Sequence, residues 1–326
     1  MKKVYFLTFL TFFLIHTNVY SYEYERSFIS WGTNFDIRIN SDIPENDLDD
    51  ITQNILEILE DLNKKFNSYD KSSEISKLNL TKKKEEKISK ELFDIINISK
   101  NYHNKTMGYF DITIGAITEQ FSFEKNNEKT ELSKNNKFIN NCTGWDKIEL
   151  KFENSSVIKK SDCLKFDLGG LAEGYAIKKI IEFLEVYKIE DAIINFGGNI
   201  TTLSKKNKWL IKILEPKVEY KIYDEIELNN LSISVSSKYS KTIVDNGISY
   251  SHIFNPVKKK LLIKKNISVS VISDDPVYCD VMSTTLITMG KEEMLKTIKL
   301  NDIKAIVLES AENETSVIYD FRKLDH

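Results

Sequence analysis

Apolar residues recur at helical spacing in several long segments of the chain. The period is clearest in residues 47–66, where the apolar positions fall on one helical face: Ile51, Ile55, Ile58, Leu59 and Leu62. The same spacing predicts further helices over residues 88–105, 169–186 and 276–289. In the last of these, a proline takes the first-turn position and a glycine follows the end, as is typical of helix boundaries.

Shorter apolar runs, some alternating with polar residues, predict β-strands. One strand is predicted over residues 28–39, and a hairpin is predicted from the segments 148–152 and 157–166. Further strands are predicted over residues 192–195, 209–214, 232–236, 267–272, 303–308 and 316–319. Strands joined by hairpins, with helices between runs of them, predict an α+β fold of mainly antiparallel sheets flanked by helices.

The N-terminal segment has the pattern of a secretory signal. Two lysines precede an apolar run over residues 4–15, which is too short to span a hydrocarbon core of about 30 Å as a helix. Small residues before a cleavage point after Ser21 complete the pattern. We therefore predict a signal peptide over residues 1–21 and a single exported domain over residues 22–326. An uncleaved anchor, which would leave the protein loosely associated with the membrane, is the alternative.

Composition narrows the classes of ligand. A net charge of −3, spread along the chain, argues against a nucleic-acid-binding surface. Arginine occurs only at Arg26, Arg38 and Arg322. A bound phosphate would therefore be held mainly by backbone N–H groups, lysine or a metal ion rather than by arginine forks.

The three cysteines, Cys142, Cys163 and Cys279, do not have the spacing of a zinc site. Cys142 and Cys163 would pair in an oxidising compartment and leave Cys279 free. Unpaired thiols are the alternative.

Two glycine-rich segments are candidates for holding an anion. The segment D-L-G-G-L-A-E-G-Y contains Gly169 and Gly170 and lies between a predicted strand and a predicted helix, where N–H groups at the helix start can face a ligand. A second pair, Gly197 and Gly198, follows another strand and precedes Asn199. Each pair alone is also typical of a packing turn. Two pairs so close in sequence favour a shared ligand cradle, although neither forms a Walker loop or a G-x-G-x-x-G motif.

The helix predicted over residues 276–289 carries a candidate metal site. Asp280 and Thr284 are four residues apart, so the carboxylate and the hydroxyl share one helical face. Oxygen ligands of this kind suit Mg²⁺. The alternative is an acid favoured by the helix dipole and a threonine bonded to its own helix.

Of the four histidines, only His252 is predicted to lie in a strand-to-turn context near the other candidates, whereas His103 falls in a polar helix end. Imidazole is the side chain best suited to take a hydroxyl proton near pH 7. A structural role for His252 remains the alternative.

Taken together, these segments resemble the ApbE family, the FAD:protein FMN transferases. The resemblance is ordered and covers nearly the whole chain. Its segments are W-G-T at 31–33, N-S-Y-D-K-S-S-E-I-S-K-L-N at 67–79, G-Y-F-D-I-T-I-G at 108–115, D-L-G-G-L-A-E-G-Y at 167–175, N-F-G-G-N at 195–199, H-I-F-N-P at 252–256 and D-V-M-S-T at 280–284.

The resemblance implies an ApbE-like, T-fold-like architecture and a periplasmic enzyme. Its reaction would be the metal-dependent transfer of FMN from FAD to a Thr or Ser hydroxyl of an acceptor protein, with release of AMP. The implied metal ligands are the Ala172 carbonyl, Asp280 and Thr284, with Mg²⁺ or, alternatively, Mn²⁺ as the ion, and His252 is the implied catalytic residue. The implied FAD-binding residues are Ser68, Asp111, Gly169, Gly170, Glu173, Gly197, Gly198, Asn199 and His252.

The chain departs from the family pattern in four places. Glu173 replaces a lysine, Asn255 replaces the aspartate of H-I-x-D-P, V-K-K at 257–259 replaces R-T-G, and S-S-K at 236–238 replaces T-S-G. Two rival functions stay open at this point. One is an FAD pyrophosphatase, in which water replaces the acceptor, and the other is a flavin-binding protein without enzymatic activity.

Overall fold

A computed structural model describes residues 22–120, 136–205, 208–216, 221–238, 242–245, 247–311 and 314–323. The predicted signal segment, residues 1–21, lies outside the described residues. Within the described ranges, no helix combines the length and the apolar character needed to cross a membrane.

An eight-stranded sheet in which every neighbouring pair is antiparallel forms the centre of the molecule. In spatial order its strands are β1 (Tyr22–Ser30), β2 (Thr33–Ser41), β6 (Ala192–Phe196), β7 (Asn199–Leu203), β10 (Ser232–Ser237), β14 (Ile267–Ser273), β15 (Ala305–Ala311) and β16 (Glu314–Asp320). The predicted α+β class with mainly antiparallel sheets is confirmed.

Three smaller antiparallel sheets lie around the large one. They consist of β3 (Glu85–Lys87), β5 (Ser156–Lys159) and β4 (Ile148–Lys151); of β8 (Trp209–Leu214) and β9 (Ile222–Leu228); and of β11 (Thr242–Asp245), β12 (Ile248–Asn255) and β13 (Lys260–Ile263). The β8–β9 hairpin packs on one face of the large sheet, through Trp209 and Ile226 against Ile233 and Leu308.

Eight α-helices lie among the described residues. They are α1 (Glu45–Phe66), α2 (Glu74–Leu80), α3 (Lys90–Lys105), α4 (Gly115–Gln120), α5 (Asn136–Cys142), α6 (Ala172–Val186), α7 (Pro276–Thr288) and α8 (Lys291–Leu300). The four helices predicted from apolar spacing are confirmed as α1, α3, α6 and α7. Their ends differ from the prediction by at most three residues, because the terminal turns depend on capping.

Helix α7 occupies the central position. It packs on β10 and β14 on one side and against α6 on the other, and α6 packs in turn on α1. Nearly every side chain of α7 is buried, including Thr285 and Thr288, whose hydroxyls donate to backbone carbonyls one turn earlier. Polar side chains in this helix are thus held in the interior of the protein.

Two strand predictions were wrong. The single strand predicted over residues 28–39 is a hairpin of β1 and β2, because Trp31 and Gly32 have φ angles of 53° and 77° and form the turn between them. The second strand of the hairpin predicted to end at residue 166 ends at Lys159. Beyond it, Cys163 forms a disulfide with Cys142 at the end of α5. Of the two alternatives that the sequence left open, the structure thus has the paired cysteines, with Cys279 free and buried.

Candidate functional site

The turn before α6 lies directly against α7. Asp167 donates its N–H to the Ile112 carbonyl at 2.7 Å and accepts the Gly169 N–H at its Oδ1 at 2.9 Å. A Cβ at Gly170 would stand 3.1 Å from Thr284 Cγ2 and 3.2 Å from Phe110 Cε2. Position 170 therefore has to be glycine or nearly so for the turn, the phenyl ring and α7 to approach one another.

Gly174 is the contact point of α6 with α7. A Cβ there would lie 2.6 Å from the Pro276 carbonyl oxygen and 2.9 Å from Asp280 Cβ. At this crossing, the Gly174 N–H donates to Asp280 Oδ2 at 3.0 Å. The crossing of the two helices therefore sets the position of the Asp280 carboxylate.

The Asp280 carboxyl is in an unfavourable electrostatic environment. The residue is 6% exposed, and burial together with the negative charge of Glu173 raises its pKa to about 8. Buried acids near a like charge are stable as carboxylates only when a cation or a hydrogen-bond donor compensates them.

Thr284 lies one helical turn after Asp280 and belongs to a group of hydroxyls. Its Oγ1 is 3.3 Å from Ser236 Oγ, which is itself 2.9 Å from Ser283 Oγ. Ser234 reaches the same Ser283 hydroxyl at 3.1 Å. Ser236 was not among the predicted site residues. The sequence signal for it is the serine at every second position of β10, which makes one face of the strand polar.

The second glycine pair meets α6 through Glu173. Asn199 Nδ2 donates to Glu173 Oε2 at 2.7 Å. Gly197 has φ of 63°, and a Cβ there would lie 2.6 Å from the same oxygen, while Gly198 has φ of 93°. The two glycine-rich segments are thus in contact through Asn199 and Glu173. We call the group of residues 169–174, 197–199, Ser236, Asp280 and Thr284 the cradle.

More N–H groups at the start of α6 are hydrogen-bonded within the protein than the sequence indicated. Leu171 and Ala172 both donate to the Leu168 carbonyl, at 3.1 and 3.0 Å, and the Gly169 and Gly174 N–H groups bond to Asp167 and Asp280. Binding of a phosphate at this helix start would therefore need charge from elsewhere.

Asp111 lies next to the cradle, and its carboxylate accepts two hydrogen bonds from the residue two positions later. Its Oδ1 accepts the Thr113 N–H at 2.8 Å and the Thr113 hydroxyl at 2.7 Å, and burial raises its pKa. His103 Nδ1 lies 3.4 Å from Asp111 Oδ2 and 3.1 Å from the Phe110 carbonyl oxygen. The prediction that only His252 lies near the other candidates was wrong, because the fold brings the end of α3 back onto Asp111.

His252 lies half-buried on β12, which is attached to the C-terminal end of α7. The attachment is made by Asn255, whose Nδ2 donates to the Thr288 carbonyl at 2.7 Å while its Oδ1 accepts the Lys258 N–H at 2.7 Å. An ionised aspartate at this position could not donate the first of these bonds.

Ser68 occupies the turn after α1, where its carbonyl accepts the Ser76 hydroxyl at 3.2 Å. Among the described residues, the Ser68 hydroxyl makes no hydrogen bond to α6 or α7. Its neighbour Phe66 does reach α6, since the Phe66 and Tyr175 rings are 5.6 Å apart in an edge-on arrangement. Ser68 is therefore the predicted site residue least connected to the cradle.

Three residues of the cradle carry oxygen atoms of the kind that Mg²⁺ prefers. They are Asp280 and Thr284 on α7, with a carboxylate and a hydroxyl, and Ala172, the first residue of α6, with its backbone carbonyl. In the described part of the chain, no three His, Cys, Asp or Glu side chains converge as a metal site, so hydroxyl and carbonyl oxygens would have to complete the coordination. A divalent cation here would offset the repulsion between Asp280 and Glu173.

Comparison with known proteins finds a matching family and named relatives. The sequence profile of the ApbE family matches residues 31–307. The FAD:protein FMN transferase of Vibrio cholerae is 24% identical over 284 residues, which cover 85% of this chain and 84% of the relative. The protein of the same name from Buchnera aphidicola subsp. Schizaphis graminum is 29% identical over 321 residues, or 96% of this chain and 93% of the relative.

Solved structures share the fold. The flavin transferase ApbE from Vibrio cholerae superposes with a TM-score of 0.78 at 21% identity, covering 93% of this chain and 99% of the other. The ApbE protein from Thermotoga maritima superposes with a TM-score of 0.80 at 22% identity, covering 91% of this chain and 97% of the other. The architecture described above is that of these proteins.

Proposed function

The chain belongs to the ApbE family, and from this premise we propose that it is an FAD:protein FMN transferase. In this proposal it moves FMN from FAD to a Thr or Ser hydroxyl of an acceptor protein and releases AMP. The observation that carries the proposal is a pair of contacts with α7, of Gly170 in the turn before α6 with Thr284 and of Gly174 in α6 with Asp280. The names of the relatives, each an FAD:protein FMN transferase, support the same reaction.

Ala172, Asp280 and Thr284 are the residues that would hold the metal ion, with Mg²⁺ preferred and Mn²⁺ as the alternative. When bound, such an ion stabilises the negative charge of the pyrophosphate and of the departing AMP. Gly170 and Gly197 keep the cradle open, because side chains at these positions would meet Thr284 and Glu173. The predicted FAD contacts at Gly169, Gly198, Asn199, Asp111 and Ser68 belong to the same proposal.

His252 is proposed as the general base. The acceptor oxygen attacks the phosphorus next to riboflavin, the bond from that phosphorus to the AMP oxygen breaks, and the hydroxyl proton passes to the imidazole. Because β12 is attached to the end of α7 by Asn255, the imidazole is carried by the same structural unit as Asp280 and Thr284.

We also propose that the protein is exported to the periplasm after removal of residues 1–21. The Cys142–Cys163 disulfide supports this proposal, because structural disulfides persist in oxidising compartments. Mass spectrometry of the protein recovered from the periplasm should find an N-terminus within a few residues of Tyr22. Recovery from the cytoplasm with Met1 intact would contradict export.

One experiment separates the proposed reaction from its rivals. The purified protein is incubated with FAD and Mg²⁺, with and without an acceptor domain that carries a candidate Thr or Ser. AMP together with a flavin-labelled acceptor is the expected result. AMP with free FMN in place of labelled acceptor would mean a pyrophosphatase, and absence of AMP under both conditions would mean a flavin-binding protein.

A further inference from the structure

Glu173 brings a second carboxylate to the cradle, at a position where the ApbE pattern has a lysine. It is the second residue of α6, and the residue after it, Gly174, donates its N–H to Asp280 Oδ2 at 3.0 Å. The two acids therefore lie at the same crossing of α6 and α7, close enough for the negative charge of Glu173 to act on the buried Asp280 carboxyl. Two like charges brought together by folding cost free energy unless a cation compensates them.

Asn199, the first residue of β7, holds the Glu173 carboxylate in place. Its Nδ2 donates to Glu173 Oε2 at 2.7 Å. Asn199 pairs directly with Ser234 across β7 and β10, so the two side chains project from the same face of the sheet. That face is the one covered by α7, because Ser234 Oγ lies 3.1 Å from Ser283 Oγ on this helix. The bond between Asn199 and Glu173 therefore lies on the sheet face that the helix of Asp280 covers.

One atom of this group is buried without a hydrogen-bond partner. Asn199 is 6% exposed, and among the described residues its Oδ1 accepts no hydrogen bond. A buried acceptor without a donor costs free energy, as two neighbouring carboxylates do. A divalent cation with its bound waters supplies both the positive charge and the donors. The group formed by Glu173, Asn199 and Asp280 therefore suits a cation, whereas a phosphate placed against it would add a further negative charge.

We propose that Glu173 is a further cation-binding group of the cradle, an inference that rests on the proposed function and its metal ion. Glu173 then acts together with the three residues named above, Ala172, Asp280 and Thr284, while Asn199 positions its carboxylate. Affinity for a hard cation depends on the number of charged oxygen groups at the site. The second carboxylate therefore lets the protein bind Mg²⁺ or Mn²⁺ in the absence of FAD, before a pyrophosphate contributes its own oxygens.

The test measures the binding of Mn²⁺ and of Mg²⁺ to the metal-free protein without FAD, by electron paramagnetic resonance for the first ion and titration calorimetry for both. The wild type is compared with Glu173→Gln, Glu173→Ala and Glu185→Gln. Glutamine keeps the shape of the side chain and an oxygen that accepts the Asn199 N–H, and Glu185, an exposed acid near the end of the same helix, is the matched control. Thermal denaturation in EDTA checks that each variant is folded, and Glu173→Ala decides the test if Glu173→Gln does not fold.

Loss of the Glu173 charge should weaken the binding of both ions roughly 10–100-fold, the loss typical of removing a group that supports a metal ligand. Glu185→Gln should bind both ions like the wild type. Because a ligand stabilises the folded state in proportion to its affinity, Mg²⁺ should also raise the melting temperature of the wild type more than that of the two Glu173 variants.

Failure of the wild type to bind either ion without FAD, equal affinities in the wild type and Glu173→Gln, or an equal loss in Glu185→Gln would each overturn the inference. Cation binding that depends on Glu173 in a protein that transfers no FMN would leave the inference standing and refute the proposed function. FMN transfer by a protein whose cation affinity is unchanged in Glu173→Gln would refute the inference alone.

Discussion

Two lysines of the described ranges are buried, and their surroundings differ. Lys159 is 6% exposed, and its Nζ donates to the carbonyls of Asn79 and Leu164 at 3.1 and 3.4 Å. Lys238 is 9% exposed and has no such partner among the described residues. Burial lowers the pKa of both to about 8, so each residue carries the cost of a desolvated charge, but only Lys159 has internal acceptors that offset it.

The residues around each lysine differ in the same way, in whether their polar groups are satisfied within the protein. Next to Lys159, the Asn79 side chain bonds both backbone groups of Phe166, donating to its carbonyl at 2.9 Å and accepting its N–H at 2.7 Å. We call Asn79, Lys159, Phe166 and the Cys142–Cys163 disulfide the staple. In the cradle, by contrast, the buried Asp280 carboxyl lies near the negative charge of Glu173. The comparison teaches that the staple satisfies its polar groups within the protein, whereas the cradle keeps two acidic groups close together.

The largest expected effect is that of Asp280→Ala. The change removes the one formal negative charge among the three proposed metal ligands, so metal-dependent turnover should be abolished. The protein should remain folded, because the substitution also removes a buried acid that Glu173 repels. AMP release is measured as a function of Mg²⁺ concentration, with Asp274→Ala, an exposed position before the same helix, as the control. Full activity of the Asp280 variant at ordinary Mg²⁺ would refute the metal assignment.

His252→Ala should lower saturated turnover by roughly 10²–10⁴-fold, the range typical of general-base loss. FAD affinity should change little, because the proton moves only as the new bond forms. Binding and saturated turnover are measured on the same sample, and weak FAD binding with normal saturated turnover would exclude the base role.

Asn79→Ala tests the staple. It removes two hydrogen bonds and leaves the buried backbone groups of Phe166 without them, so the free energy of unfolding should fall by about 2–3 kcal/mol. The folded fraction should keep its affinity for metal and FAD. Urea denaturation measures the loss, and Asn101→Ala, at an exposed position, is the control. An equal stability for Asn79→Ala and the wild type would show that the staple does not stabilise the fold.

The smallest expected effect is a pH dependence that comes from Lys159. The pKa of Lys159 is about 8 in the folded protein, whereas the ordinary value, 10.5, applies to the unfolded chain. Between these two pH values the unfolded chain therefore binds more protons. The free energy of unfolding should therefore rise with pH over this window, by at most about 1.4 kcal/mol per pH unit. Below the window Lys159 is protonated in both states, so it should add no pH dependence there. Urea denaturation of the wild type and Lys159→Met at pH 7 to 10 gives the difference. A difference that stays constant across the window would show that Lys159 titrates normally.

The sequence by itself determined four of the eight described helices and the family. Ser73 and Ser89 accept the Ser76 and Leu92 N–H groups as helix N-caps, and the apolar spacing of α1 and α3 places one face against the core, all of which are local properties of the chain. The ordered motifs were equally readable in the sequence, and the structure gives the reason for Gly174, where a Cβ would lie 2.6 Å from the Pro276 carbonyl oxygen.

Only the tertiary structure decided how charge is distributed around the cradle. The bond between Gly174 and Asp280 joins residues 106 positions apart, and that between Asn199 and Glu173 joins residues 26 apart. Such contacts depend on how α6 crosses α7 and where each strand enters the sheet, so no local pattern contains them. No local pattern contains the contact of His103 with Asp111 or the burial of Lys238 either. A side chain's pKa and partners are set by the elements packed around it, and these come together only when the whole chain has folded.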